Sequence, residues 1–350
     1  MSPRTSTEHK RASQPIFEYW NNSARRGSEV SCALIENWFS RYPASEQYEL
    51  RKRFRSCDAS LAAAFHELCL HELLLRQGCT ITVHPSVAGT AKQPDFKVAE
   101  PNGSTFLLEA RTSTEVNSGP EYGPRYNRVL DYLRGETFDG FLIGVCELTA
   151  GQNELSVRRI KRHILKSLAE PSTDREGLVE IPSFEMDGWR IKLKAFPCTK
   201  YPNRTGLLFL GFSRTRTTSR HPLSSALKEK ANRYGKALTL PLVISVSSLD
   251  PMLTDTDFDH QLLAKQVIWG STGRRHLSAV LFTYNLWPET LLTGQVGSRL
   301  YLNPKAERPY SGVLDTLETF RLDGDSWHCR PGKSLWEILE LPRYRSSLWG

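Results

Sequence analysis

The amino-acid sequence predicts an α/β fold built around a mixed sheet that is flanked by helices. Segments with apolar residues every three or four positions, typical of helices, alternate with short strand-like runs along the 350 residues. A Pro-Asn-Gly turn at 101–103 joins two of these runs as a tight hairpin. Short apolar runs such as 240–246 have the length of buried strands. Strands that alternate with helices in this way are typical of α/β proteins.

The N-terminal part of the chain divides into a polar arm and a helical extension. Residues 1–26 are rich in Ser, Thr, Arg and Lys and lack apolar periodicity, which predicts a disordered or loose basic arm. Val30, Leu34 and Trp38 then repeat at helical spacing. Residues 27–57 are therefore predicted to be a helical extension whose second helix, charged along its length, is mostly exposed.

Residues 58–170 are predicted to form a compact core. Asp58 is a suitable N-cap for a helix that continues to about Gln77, and Gly78 suits a helix C-terminus. Strands and two further helices follow in the same segment. Residues 171–350 alternate again, so we expect them either to extend the same sheet or to form a separate α/β accessory domain.

Composition narrows the classes of function. No apolar run approaches the roughly 18–20 residues that cross a bilayer, so no membrane partner is expected. The seven cysteines are odd in number and form no CxxC pair, which argues against a disulfide framework or a cysteine-rich zinc site and favours a cytoplasmic protein. No P-loop, GxGxxG, HExxH or GxSxG motif is present, which weighs against ATP-driven, nicotinamide-dependent and serine-hydrolase chemistry.

Glu67 lies on an apolar stripe of the helix predicted to begin at residue 58. Its neighbours one and two turns away are Ala63, Leu70 and Leu74. A carboxylate buried on such a stripe needs a partner, a proton or a metal ion. Glu67 is therefore a candidate functional residue, unless it sits at the edge of the stripe and reaches water.

Two further carboxylates fall on the strands joined by the 101–103 turn. Side chains alternate between the faces of a sheet, so Asp95 and Lys97 share one face of their strand. Glu109 and Arg111 likewise share one face of the next strand. The hairpin can therefore bring Asp95 beside Glu109. The alternative is that Asp95 lies beside the turn while Glu109 and Arg111 form a surface pair.

Such a pair of carboxylates indicates a divalent cation. Adjacent carboxylates repel each other unless a cation joins them. Ligand sets made only of oxygen atoms suit Mg²⁺ or Mn²⁺ rather than zinc. Magnesium also accepts phosphate oxygens and activates water, which suits hydrolysis of a phosphodiester bond.

The order of these features resembles that of the PD-(D/E)XK nuclease superfamily, which includes type II restriction enzymes and Holliday junction resolvases. The resembling segments are FHEL at 65–68, QPDF at 93–96 and LEAR at 108–111. The resemblance covers roughly residues 58–170 and rests more on the order of elements than on the short motifs. It implies a restriction-endonuclease-like sheet and a divalent-metal-dependent nuclease acting on nucleic acid, with DNA as the expected substrate.

The resemblance also implies roles for individual residues. Asp95 and Glu109 would be ligands of Mg²⁺ or Mn²⁺, and Glu67 would lie near the metal, directly or through water. Arg111 occupies the position where the superfamily usually has lysine. Arginine stays protonated and is a poor base, so we hypothesise that Lys97 supplies the missing ammonium.

Two alternatives remain open at this point. The chain can be a catalytically inactive nuclease fold that binds nucleic acid or a protein partner, which Arg111 in place of lysine favours. It can also have an unrelated α/β fold in which the three carboxylates never meet.

Basic residues predict where nucleic acid would bind. The formal net charge of +8 and the pI of about 9.1 suit a polyanionic partner. A basic amphipathic helix predicted at 155–168 and a Ser/Thr-rich loop provide candidates for contact with a phosphate backbone. These candidates are Arg158, Arg159, Arg162, Lys166, Arg214 and Arg216.

Overall fold

The computed structural model describes residues 4–87, 92–113, 124–138, 140–169, 179–197, 207–209, 238–248, 275–323, 326–345 and 347. The chain forms two compact units. The first unit comprises Met1–Glu8, Pro15–Thr114 and Ser219–Gly350, and the second comprises His9–Gln14 and Glu115–Thr218. The second unit is therefore inserted into the sequence of the first. The second long segment of the chain in the first unit begins at 219, so the division between the units does not coincide with the predicted boundary at residue 170.

Three helices precede the strands of the first unit: α1 (Ile16–Asn22), α2 (Arg26–Phe39) and α3 (Gln47–Phe54). Helix α1 lies within the segment predicted to be a loose arm. It is anchored because the indole of Trp20 is only 4% exposed, and an apolar ring of that size stabilises a short helix by its burial. Helix α3 is less exposed than predicted, because Leu50 and Phe54 are buried.

Helix α4 (Asp58–Arg76) is buried on almost every side. Its buried residues lie all round the helix rather than on one stripe, as expected of a helix in the interior of a protein. The N-cap position is Cys57 and not Asp58, whose carboxylate instead accepts a hydrogen bond of 2.8 Å from the Ile16 amide. Gly78 has a φ of 76°, which confirms the predicted left-handed residue after the helix.

A mixed sheet of eight strands forms the centre of the first unit, which confirms the predicted α/β class. The antiparallel strands β1, β2 and β3 are followed in the sheet by β8 and β9, both parallel to β3. The order is β1-β2-β3-β8-β9-β10-β11-β12. The strands are β1 (Thr80–Val83), β2 (Phe96–Ala99), β3 (Thr105–Ser113), β8 (Leu242–Ser248), β9 (Leu277–Tyr284), β10 (Gly297–Leu302), β11 (Thr319–Asp323) and β12 (Ser326–Arg330).

The two faces of this sheet pack against different apolar clusters. Phe106 and Leu108 of β3 belong to the cluster that contains the apolar residues of α4. Leu107 of β3 packs with Ile244 and Val246 of β8 in the other cluster. Alternation along β3 therefore assigns each of its residues to the α4 face or to the opposite face. Two short α-helices, α7 (Pro288–Thr293) and α8 (Leu335–Ile338), and a 3₁₀ helix (Val313–Thr316) complete the described helices of this unit.

The second unit has its own sheet of four strands in the order β5-β6-β4-β7. These strands are β4 (Phe141–Thr149), β5 (Val179–Met186), β6 (Trp189–Pro197) and β7 (Leu207–Phe209). Helices α5 (Pro124–Gly135) and α6 (Val157–Ala169) belong to the same unit, and Ile160 and Ile164 of α6 are buried in its core. The sequence also predicts helices at 224–234 and 259–267, and both segments lie outside the described residues. Among the helices that the structure describes, none is long and apolar enough to cross a membrane.

Candidate active site

The hairpin of β2 and β3 brings Asp95 and Glu109 together. Phe96, the first residue of β2, pairs with Leu108 of β3. Asp95 directly precedes Phe96 and Glu109 directly follows Leu108, so the two residues flank the same pair at the end of the β2–β3 ladder.

Both carboxylates are held against the sheet. The Ala110 amide donates a hydrogen bond of 2.6 Å to Oδ2 of Asp95, which fixes this side chain beside β3. Glu109 is fully buried, with an exposed fraction of 0%, and Asp95 is half-buried. By strand alternation both side chains belong to the face of Leu107, opposite the face that α4 covers. The site is therefore a rigid pair of carboxylates in a region of restricted access to water.

Glu67 lies elsewhere, contrary to its predicted place beside the metal. It is on α4, only 3% exposed, and it forms an ion pair of 2.6 Å with Arg53 of α3. Its other oxygen accepts a hydrogen bond of 2.5 Å from the Tyr42 hydroxyl. Burial and the adjacent Glu67 carboxylate together raise the pKa of Tyr42 well above its ordinary value, so this phenol stays protonated as the donor. The sequence correctly indicated a buried carboxylate in need of a partner, and that partner is an arginine.

Two cationic residues flank the pair of carboxylates along the hairpin. Lys97 is exposed and pairs with Leu107, two residues before Glu109 on β3. Arg111 is exposed and lies two residues after Glu109. By strand alternation both cations belong to the same face as the two carboxylates.

The donor set fits a hard divalent cation coordinated in part by water. A search of the described residues for groups of three or more His, Cys, Asp and Glu side chains that could hold a metal ion found none. Two carboxylates are nevertheless a normal protein contribution to Mg²⁺, which keeps several waters and takes its remaining ligands from substrate phosphates. Of the three predicted carboxylates, Asp95 and Glu109 lie at the β2–β3 hairpin, whereas Glu67 pairs with Arg53 of α3.

A row of polar side chains that was not predicted from the sequence crosses the sheet below α4, and its members are buried except for the half-buried Thr112. His66 Nε2 lies 2.8 Å from Ser245 Oγ, and Nδ1 lies 3.2 Å from Thr112 Oγ1. The strand register places Thr112 beside Ser247 and Ser247 beside Thr283. The hydroxyls of Ser247 and Thr283 have no hydrogen-bond partner among the described residues. Ser245 and Ser247, at alternate positions of the largely apolar strand β8, are the sequence feature that could have indicated this row.

The buried histidines make the stability of the first unit depend on pH. Burial lowers the pKa of His66 to about 3 and that of His71 to about 4, both from 6.5. Below pH 6.5 the unfolded chain binds protons that the folded chain does not, so the free energy of unfolding decreases as the pH falls towards 4. Each histidine contributes up to about 1.4 kcal/mol per pH unit in this range.

The variant His66→Asn tests this expectation. Urea denaturation between pH 7 and pH 4.5 should give a smaller dependence of the unfolding free energy on pH for the variant than for the wild type. The slope is the relevant readout, because loss of the contacts with Ser245 and Thr112 lowers the stability of the variant at every pH. Equal slopes would show that His66 is protonated in the folded protein.

Four of the six predicted nucleic-acid contacts lie on helix α6 of the second unit. Their side chains are exposed, while Ile160 and Ile164 on the other side of the helix are buried. These four residues are Arg158, Arg159, Arg162 and Lys166. The other two, Arg214 and Arg216, lie outside the described residues.

Comparison of the chain with protein-family models, with curated proteins and with solved structures found no match in any of the three. The candidate site must therefore be judged on its own geometry.

Proposed function

We propose that the chain is a divalent-metal-dependent nuclease with a restriction-endonuclease-like core, and that it hydrolyses phosphodiester bonds of DNA. The observation that carries this proposal is that Asp95 contacts β3 beside Glu109, where its Oδ2 accepts a hydrogen bond of 2.6 Å from the Ala110 amide. Carboxylates at these neighbouring positions favour a shared divalent cation, because like charges at short range repel each other.

The order of elements around the pair supports the proposal. Helix α4 precedes the antiparallel strands β1, β2 and β3, and β8 lies beside β3 in the parallel direction. The carboxylates occur just before β2 and within β3. The resemblance of the sequence to the PD-(D/E)XK superfamily depends on this order of elements.

The residues of the site have distinct roles in the proposed reaction. Asp95 and Glu109 would hold Mg²⁺ or Mn²⁺, which polarises a phosphate oxygen and lowers the pKa of bound water. The Ala110 amide keeps Asp95 in place, and the burial of Glu109 strengthens its attraction for a cation. Arg111 would provide a permanent positive charge for the phosphate group undergoing hydrolysis.

Lys97 is the proposed source of the ammonium that Arg111 does not supply. It belongs to the same face as Asp95 and is exposed, so its long side chain can reach a bound phosphate. Lys97→Met should therefore reduce cleavage in the assay described below. Unchanged cleavage by this variant would show that Lys97 takes no part in the reaction.

A second candidate function is binding of nucleic acid without cleavage. Two observations favour it: Glu67 is neutralised by Arg53 instead of lying beside the carboxylate pair, and arginine replaces the usual lysine at position 111. Under this alternative the exposed basic side of α6 would contact phosphates while the hairpin performs no chemistry. Binding without metal-dependent cleavage would distinguish it from the nuclease.

A cleavage assay tests the proposed function. Wild-type protein and Glu109→Gln are incubated with Mn²⁺ or Mg²⁺ and with single-stranded, duplex and branched DNA, and with RNA as a further arm. The proposal predicts that the wild type cuts at least one DNA substrate only when the metal is present, and that Glu109→Gln does not. A wild type that cuts no substrate, or equal cutting by the variant, would contradict it.

A further inference from the structure

A pocket of about 340 Å³ lies among helices α1, α2 and α3 of the first unit. Its walls are mainly apolar and include Trp20, Ile35 and Phe54, with the rings of Phe17 and Phe39 beside them. The volume is at the lower end of the roughly 300–1,000 Å³ that is usual for small-molecule sites. None of its lining residues belongs to the carboxylate pair or to the polar row.

Two arginines, Arg51 of α3 and Arg55 directly after its last residue, line this pocket with their guanidinium groups over aromatic rings. The guanidinium carbon of Arg51 is 5.2 Å from the centre of the Phe39 ring, and that of Arg55 is 5.6 Å from the centre of the Phe17 ring. Arg55 is the C-cap residue and keeps a helical backbone conformation, so the two residues, four apart, lie on the same side of the helix end. A guanidinium stacked in this way is oriented by the ring, while its N–H groups point outward in its own plane.

Among the described residues, these two guanidinium groups have no carboxylate partner, unlike cations nearby on the same helix. The described part of the chain gives neither Arg51 nor Arg55 an ion pair, whereas Lys52 contacts Glu49 and Arg53 pairs with Glu67. The residues that line the pocket include three arginines, of which the third is Arg4, and one acidic residue, Glu36. The pocket thus has an apolar interior and an excess of positive charge along its lining.

We propose that this pocket binds a small organic anion. The apolar body of the ligand, with the size of one or two fused rings, would fill the space beside Trp20 and Ile35. Its carboxylate, sulfonate or phosphate group would accept hydrogen bonds from Arg51 and Arg55, which suit such groups because their N–H donors are parallel and coplanar. This binding is independent of the proposed nuclease activity.

Binding of two fluorescent dyes to the full chain tests the proposal. The first probe is 1-anilinonaphthalene-8-sulfonate, an aromatic anion, and the second is N-phenyl-1-naphthylamine, its uncharged analogue. The wild type should bind the anion more tightly than the neutral dye. In Arg51→Met/Arg55→Met, the affinity for the anion should fall about tenfold or more, because charge-assisted hydrogen bonds are lost.

The matched control is Arg26→Met/Lys52→Met, which removes the same number of positive charges from other exposed positions. It should leave the affinity for the anion close to that of the wild type. Ile35→Trp, which fills the pocket, should weaken binding of both dyes, and circular dichroism shows whether each variant is folded. Equal loss in the two double variants, equal binding of the two dyes by the wild type, or unchanged binding by folded Ile35→Trp would overturn the proposal.

Discussion

Asp95→Asn is expected to reduce the rate of metal-dependent cleavage by at least about a hundredfold. Asparagine removes the negative charge that would hold the cation, while its side-chain oxygen can still accept the hydrogen bond from the Ala110 amide. The local geometry should therefore survive. Loss of groups that only orient metal ligands already costs about 10–100-fold, so loss of a ligand charge should cost at least the upper end of that range. The measurement is the single-turnover rate on the substrate that the wild type cuts.

Glu67→Gln is the matched control for this experiment. It makes the same chemical change at another buried carboxylate, whose side chain contacts Arg53 and Tyr42. Its cleavage rate should stay close to that of the wild type at a temperature where both are folded. A loss as large as that of Asp95→Asn would show that Glu67 contributes to the reacting centre. Full activity of Asp95→Asn would show that the hairpin does not.

Arg53→Met is expected to lower the free energy of unfolding by about 3 kcal/mol. The variant leaves the Glu67 carboxylate, which is 3% exposed, without the positive charge that now lies 2.6 Å away. Removing one partner of a buried ion pair typically costs about 3–5 kcal/mol, and the lower value is expected here because the Arg53 side chain is itself 36% exposed. Tyr42 still donates its hydrogen bond to Glu67 and recovers part of the loss. Urea denaturation monitored by circular dichroism measures the change.

A surface ion pair provides the control for Arg53→Met. Arg26 and Glu29 are 2.7 Å apart, but their side chains are 62% and 55% exposed. Arg26→Met should cost less than about 1 kcal/mol, because exposed ion pairs contribute little to stability. If the two variants were equally stable, the Arg53–Glu67 pair would not be a buried structural contact.

The neighbourhood of Asp95 and Glu109 could be predicted from sequence because it depends on local rules. A tight turn fixes the pairing of the two strands it joins, and the alternation of side chains then fixes which residues share a face. Both rules act within about 15 residues of sequence, from Asp95 to Glu109. The register of β2 and β3 agrees with them.

The environment of Glu67 could not be predicted in the same way. Helical periodicity showed that this carboxylate lies among apolar residues, but the identity of its partner depends on how α3 packs against α4. Leu50 and Phe54 bury one side of α3, and this packing brings Arg53 onto Glu67. The contact joins positions 53 and 67 across a turn between helices, and no local rule fixes the angle between the helices.

The insertion of the second unit was missed for a related reason. Helix and strand patterns between residues 124 and 197 were mostly identified, but such patterns do not state which sheet a strand joins. Pairing of β3 with β8, more than a hundred residues later, is a long-range contact that becomes visible only in the folded chain. For the same reason the row formed by Thr112, Ser247 and Thr283 could not be predicted, because it depends on the pairing of β3 with β8 and of β8 with β9.

Titration of the protein with Mn²⁺ tests for the proposed metal site itself, because it needs no knowledge of the substrate. Binding is followed by isothermal calorimetry and by the electron paramagnetic resonance signal of free Mn²⁺, for the wild type, Glu67→Gln and Asp95→Asn/Glu109→Gln. If Asp95 and Glu109 hold the metal, the wild type and Glu67→Gln have a saturable site that the double variant lacks. Equal binding by the double variant, or no saturable binding by the wild type, would contradict the proposed metal site.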